Sequence, residues 1–275
     1  MLNGVLAESV SIAAPLVVAP EIEGDQLLTS SLWANVALAG VSALLFVYMG
    51  RNVTGSRSKY IWSLTLFIPL VSLSSYLGLL SGLTIGMTQM PAGHPLDTVL
   101  SQWGRYLTWT FSTPLILTAL GLLAGVKRED IFTVVAADVG MCLTGLAAAL
   151  TTSSLAMRWA FYAVSCAFFA VVLYALLVEW PQDAAAAGTG DIFSTLRVLT
   201  VVLWLGYPIV WALGVEGLAL VQSVGVTSWA YSGLDILAKY VFAFLLLRWV
   251  ASNESIVERQ ATGAGSASGA TPADD

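Results

Sequence analysis

Apolar residues run along this chain in blocks too long and too continuous for a soluble fold. They lie at about Ser31–Gly50, Tyr60–Leu83, Leu100–Gly125, Ile131–Thr152, Arg158–Val178, Ile192–Leu213 and Val226–Trp249. A helix needs about 20 apolar residues to cross the hydrocarbon core of a bilayer. A transmembrane β-barrel would instead show period-two alternation in short segments. The pattern predicts an all-α bundle of seven transmembrane helices over 31–250, after an extracellular segment at 1–30. The tail at 251–275, rich in Gly, Ala and Ser, is expected to be disordered.

Loop charges orient the bundle, because Lys and Arg concentrate on the cytoplasmic side. With alternating helices, Arg51, Arg57, Lys59, Lys127, Arg128, Arg197, Arg248 and Arg259 share one side, and Arg158 borders the other. The N-terminus is therefore predicted outside and the C-terminus inside. Arg105 and Lys239 are left within spans.

Composition agrees: 57% of residues are hydrophobic and 10% charged, with mean hydropathy +0.82, well above the soluble average. This is a multi-pass membrane protein surrounded by lipid. The net charge of −6 comes largely from acidic termini, which suit a salty medium, and no basic patch for nucleic acid is present. Cys142 and Cys166 fall inside spans, so they read as free thiols rather than a disulfide framework. The single histidine, His94, lies in the polar loop GMTQMPAGHPLDTV without clustered carboxylates or cysteines, so no metal site is expected.

The informative anomaly is Lys239 in YSGLDILAKYVFAFLLLR. Asp235 lies four residues earlier, one helical turn away on the same face. An intramembrane charge is costly unless paired, hydrated or neutralised, which makes this pair a functional candidate. In the third span, Arg105, Thr108 and Ser112 recur at i, i+3 and i+7 on one face, with Trp109 on the same flank and Pro114 interrupting the helix. The other reading of that face is a snorkelling arginine with hydroxyls bonded to their own backbone. Ser72, Ser74, Ser75 and Tyr76 in the second span suit interhelical hydrogen bonds. The first span carries no obvious chemistry. Asp138 is counted as neutral, since burial disfavours its charge. Trp204, Tyr207 and Trp211 form an aromatic stripe around Pro208. Such a stripe usually means packing, but facing Trp109 beside a buried lysine it could wall a slot for a long flat conjugated ligand.

Summing the buried ions gives Lys239 and Arg105 against Asp235, an excess of one positive charge. Arginine does not deprotonate, and hydroxyls supply no negative charge. A site bounded by Lys239, Arg105, Thr108 and Ser112 therefore asks for a small anion, with chloride the natural candidate. The same holds if the lysine becomes a protonated Schiff base with a carbonyl ligand.

These residues resemble the microbial rhodopsins, seven-helix retinal proteins, over about Ser31 to Arg248. The resemblance rests on LDILAK, WGRYLTWTFSTP and WLGYPIVW. It is strongest to the halorhodopsins, light-driven chloride pumps of salt-loving archaea, the cruxhalorhodopsin subgroup in particular, through MPAGH, GLAAALTTS and VEGLALVQSVGVTSW.

The resemblance implies an ion transporter of the cell membrane rather than an enzyme. Lys239 would bind all-trans retinal covalently as a protonated Schiff base, and Asp235 would be a counterion. Arg105, Thr108 and Ser112 would bind the anion. Trp109, Thr113, Met141, Gly145, Ser165, Phe169, Trp204, Tyr207 and Trp211 would form the retinal pocket. Gln102 and Glu216 would line the extracellular side of the ion path, and Ser72, Arg197 and Thr200 the cytoplasmic side. Thr108 and Ala119 stand where proton-pumping relatives keep an acceptor and a donor carboxyl, and Tyr162 stands where they have a pocket tryptophan. A homotrimer and an accessory carotenoid are also implied. The alternatives on this scaffold are a phototaxis receptor or a proton pump.

Overall fold

The structure, a computed structural model, describes residues 19–261. The start of the expected extracellular segment, 1–18, and the end of the tail, 262–275, lie outside it. A short helix α1 (Pro20–Glu23) leads into α2 (Gln26–Gly50), which is capped by Asp25 through the Leu28 N–H at 2.9 Å. Then come α3 (Ser56–Leu80), strands β1 (Gly86–Gln89) and β2 (Thr98–Ser101), α4 (Gly104–Ala124) and α5 (Arg128–Leu150). They are followed by α6 (Leu155–Ala186), α7 (Gly190–Leu213), α8 (224–252) and α9 (Glu254–Ala261). The side chains of Ser154 and Ser223 cap α6 and α8, and Gly125 ends α4 in the left-handed conformation that glycine adopts at no steric cost.

Six helices, α2 to α7, are each long and apolar enough to cross a membrane. The seventh, α8, is regular over Val224–Asp235 and Phe242–Ser252 but passes through a π-helical turn at Ile236–Val241. Neighbours in sequence pack side by side, and α8 returns to α2, closing a seven-helix ring. Large apolar side chains such as Leu44, Val47, Phe111, Phe132, Val202 and Leu220 are exposed on its outer surface. An outside as apolar as the core is what a lipid solvent requires.

Three segments differ from expectation. The polar loop after α3 contains an antiparallel hairpin, in register from Gly86 opposite Ser101 to Gln89 opposite Thr98. Its strands are too short for alternation to reveal. The stretch EWPQDAAAAGTGD, read as a flexible turn, continues α6 to Ala186, because its alanines favour helix once packing supports it. Residues Glu254–Ala261 of the tail form α9. Val257 is fully buried in the main core, and two carboxylates hold the start of α3 and the turn before it. Glu254 accepts from the N–H and hydroxyl of Thr54 and the N–H of Gly55, and Glu258 accepts from the N–H and hydroxyl of Ser58.

Candidate functional site

The π-helical turn of α8 surrounds Lys239. Single wide turns of this kind are frequent at functional sites, and α6 carries another at Ala175–Glu179, away from this one. The Lys239 ammonium donates to Asp235, and this is the one ion pair found among the described residues. Both side chains are buried. Asp235 also accepts from Tyr76 Oη at 2.6 Å, Tyr207 Oη at 2.7 Å and Trp109 Nε1 at 3.3 Å. Four donors from α3, α4, α7 and α8 thus converge on one carboxylate, which is how an interior charge is kept.

Arg105, 2% exposed, makes no hydrogen bond to that carboxylate. Its guanidinium donates to Gln102 Oε1 at 3.0 Å, Tyr76 Oη at 2.9 Å and Ser228 Oγ at 2.6 Å. The phenol of Tyr76 stands between the two charges, accepting from Arg105 and donating to Asp235. The positive excess inferred from the sequence therefore persists in the fold: Lys239 has a carboxylate, and Arg105 has only neutral partners.

The hydroxyls of α4 divide in an informative way. Thr108, Thr110, Thr113 and Thr118 each lie within hydrogen-bond reach of the carbonyl four residues back, the ordinary habit of such side chains in membranes. Ser112 does not: its Oγ is buried without a partner. Thr108 also donates to Ser75 Oγ, which donates to Gly104 O. The self-bonded alternative thus describes Thr110, Thr113 and Thr118, whereas the Thr108 proton goes to Ser75 and Ser112 has no partner.

Beside these charges lies a cavity lined by all nine residues expected to wall a long conjugated ligand: Trp109, Thr113, Met141, Gly145, Ser165, Phe169, Trp204, Tyr207 and Trp211. Tyr106, Cys142, Tyr162, Cys166, Pro208 and Tyr231 complete it. Trp109 meets Tyr207 edge-on at 5.2 Å, and Tyr162 stacks on Trp211 at 4.6 Å. Tyr162 therefore contributes a wall at the far end, fixed by donation to Pro208 O at 3.0 Å. At Gly145 an added Cβ would meet nothing nearer than Ser165 Oγ at 3.4 Å. The missing side chain leaves room for a ligand. Thr113 Oγ1 lies 2.7 Å from both Trp109 O and Asp138 Oδ2. One hydroxyl proton can satisfy only one of these acceptors, so a protonated Asp138 donating to Thr113 completes the set.

A second cavity opens on the hairpin side, between Gln102, Arg105, Glu216, Thr227 and Tyr231. Glu216 accepts there from Tyr106 Oη at 2.7 Å and Ser101 Oγ at 3.0 Å. Gln102 and Glu216 are thus brought together with Arg105. Ser72, Arg197 and Thr200 line neither cavity. Ser72 and Thr200 bond their own helices at Ile68 O and Leu196 O, whereas the buried Nε of Arg197 has no partner. His94 only closes its own turn, against Leu96, and among the described residues no group of three or more metal-ligating side chains forms. Sequence reasoning missed Tyr76, Ser75, Ser228 and Tyr231 as site residues. Tyr76 sat in a polar set whose direction only neighbouring helices define.

A family model described as bacteriorhodopsin-like protein matches residues 26–253. The chain is 70% identical over 241 residues to halorhodopsin of Halobacterium salinarum, covering 87% of this chain and 88% of that protein. It is 67% identical over 257 residues to cruxhalorhodopsin-3 of Haloarcula vallismortis, covering 93% and 92%. A solved structure described as halorhodopsin, a light-driven chloride pump, superposes with TM-score 0.84 at 70% identity, covering 86% of this chain and 99% of that one.

Proposed function

Since this chain belongs to the bacteriorhodopsin-like protein family, we propose that it is a light-driven pump moving chloride into the cell, with retinal bound to Lys239. The observation that carries this reading is the unbalanced charge of the site. Arg105 is buried among neutral partners, and Ser112 Oγ, on the same face of α4, is buried without one. An uncompensated interior cation recruits a counter-charge, and a hydroxyl without a partner supplies it with a donor. The similarity to halorhodopsins points the same way.

The aromatic slot, the space at Gly145 and the Lys239 amine, 6.0 Å from the ring centroid of the wall residue Tyr207, fit a conjugated aldehyde joined to Lys239. Bound there, retinal would supply absorption of visible light and a bond that isomerises. Asp235, fixed by Tyr76 and Tyr207, balances the charge on the Lys239 nitrogen from one side. Arg105, Thr108 and Ser112 hold chloride near it, fed from the outer cavity past Glu216 and Gln102. With the Lys239 N–H directed to the cytoplasmic half, chloride would leave by way of Thr200, Ser72 and Arg197. Pro114 and Pro208 supply hinges for the change of access. A proton relay has little to work with, since Thr108 offers no carboxyl and Ala119 lies buried in an apolar cluster. The reading includes lipid around the apolar outer faces, with a homotrimer and an accessory carotenoid following from the resemblance alone.

The test is to titrate the purified protein with chloride while recording its visible band, and to follow pH in illuminated vesicles. A chloride-dependent colour, with passive proton uptake that a protonophore enhances, is expected. Abolition of the pH change by the protonophore would mean proton pumping and overturn the assignment. A Lys239→Ala protein that still held retinal covalently would do the same.

A further inference from the structure

Helix α2, chemically silent in the sequence, reaches the site through Ser31. Four buried groups form a chain: Arg105 Nη2 to Ser228 Oγ at 2.6 Å, Ser228 Oγ to Ser31 Oγ at 2.6 Å, and Ser31 Oγ to Leu28 O at 2.7 Å. Both serines are fully buried. Hydrogen-bond bookkeeping gives the chain one direction. A guanidinium only donates and a carbonyl only accepts, so Ser228 accepts from Arg105 and Ser31 donates to Leu28. The remaining proton of Ser228 goes to Ser31, with Gln102 Oε1 a longer alternative at 3.3 Å.

Every O–H dipole in this chain points its positive end away from Arg105. The arrangement solvates the cation and fixes its orientation without neutralising it. An acid in either serine position would cancel the charge, and an apolar residue at Ser228 would leave Arg105 Nη2 with only the longer bond to Ser228 O at 3.4 Å. Arg105 shares the outer cavity with the Glu216 carboxylate, so a guanidinium released from Ser228 has a competing anion of the protein itself within its own cavity.

We propose that Ser228 and Ser31 are positioning residues that hold Arg105 toward the transported anion and away from Glu216. Ser31 acts through Ser228. This rests on the chloride-pump reading, and the experiment separates the two: loss of chloride-dependent colour in the unaltered protein would strike the pump reading, whereas the variants test the relay.

The experiment measures chloride dissociation constants from the visible band of retinal-bound variants. Ser228→Thr and Ser228→Val differ in the hydroxyl and little in shape. The threonine variant is expected to keep the affinity of the unaltered protein. The valine variant is expected to lose about tenfold, the scale of one hydrogen bond to a charged group. Ser31→Ala is expected to weaken binding in the same direction by less, and adding it to Ser228→Val should change little further. Adding Glu216→Gln to Ser228→Val should recover affinity, which a general packing defect would not permit. Equal affinities for the threonine and valine variants, additive losses for the two serines, or no recovery with Glu216→Gln would each overturn the proposal.

Discussion

Ser112→Ala separates a ligand-binding hydroxyl from an unsatisfied one, because the two predict opposite outcomes. The Oγ is buried without a partner, whereas the four threonines of α4 each lie within reach of the carbonyl one turn back. If Ser112 donates to chloride, its loss removes a hydrogen bond to a charged group, about 1.5–3 kcal/mol. At about 1.4 kcal/mol per factor of ten, the dissociation constant should rise roughly tenfold to a hundredfold. Thr108→Val should cost less, because that hydroxyl already donates to Ser75. If Ser112 is merely unsatisfied, alanine removes a buried polar atom whose burial costs about 1–3 kcal/mol, so the protein gains stability and chloride affinity stays put. The assay is chloride titration of the visible band at constant ionic strength, beside thermal bleaching of the same samples. An unchanged dissociation constant with a raised bleaching temperature would refute the role given to Ser112.

Two further outcomes follow from the contacts. Tyr76→Phe deletes the hydroxyl shared by Asp235 and Arg105, two hydrogen bonds to charged groups worth about 1.5–3 kcal/mol each before relaxation. Thermal bleaching should come at least about 5 °C earlier, and an unchanged temperature would remove Tyr76 from the network. For α9, the N–H of Gly55, with help from Thr54, holds the Glu254 carboxyl below the usual range. Burial opposes the charge of Glu258, but Ser58 outweighs it and that group is lowered too. Both docked values lie below the free ones, so docking is fully stabilised above the ordinary glutamate pKa of about 4.3 and weakens as pH falls through the docked values. Hydrogen exchange at the amides of Thr54, Gly55 and Ser58 should quicken below that point. Flat protection down to about pH 3 would contradict this.

The sequence by itself determined the solvent, the helices and the parts of the site that lie on single faces. Continuous apolar blocks set the spans. Spacing of four placed Asp235 under Lys239, and spacings of three and seven aligned Arg105, Thr108 and Ser112, because helical pitch is a local property. The aromatic stripe of α7 was legible for the same reason, and all nine expected wall residues line one cavity. Helix α9 was not: its composition is polar, and its fold depends on Val257 finding the core and two glutamates finding unbonded N–H groups at the start of α3. Nor was the wiring between helices legible. Tyr76 separates Arg105 from Asp235 across 29 and 159 residues, and Ser31 meets Ser228 across 197. A periodicity states which side chains share a face. Which face meets which is decided by the rotation and depth of each helix in the ring, set by packing along its whole length. Tertiary structure therefore decided that Arg105 is solvated rather than neutralised, and with that the room left for an anion.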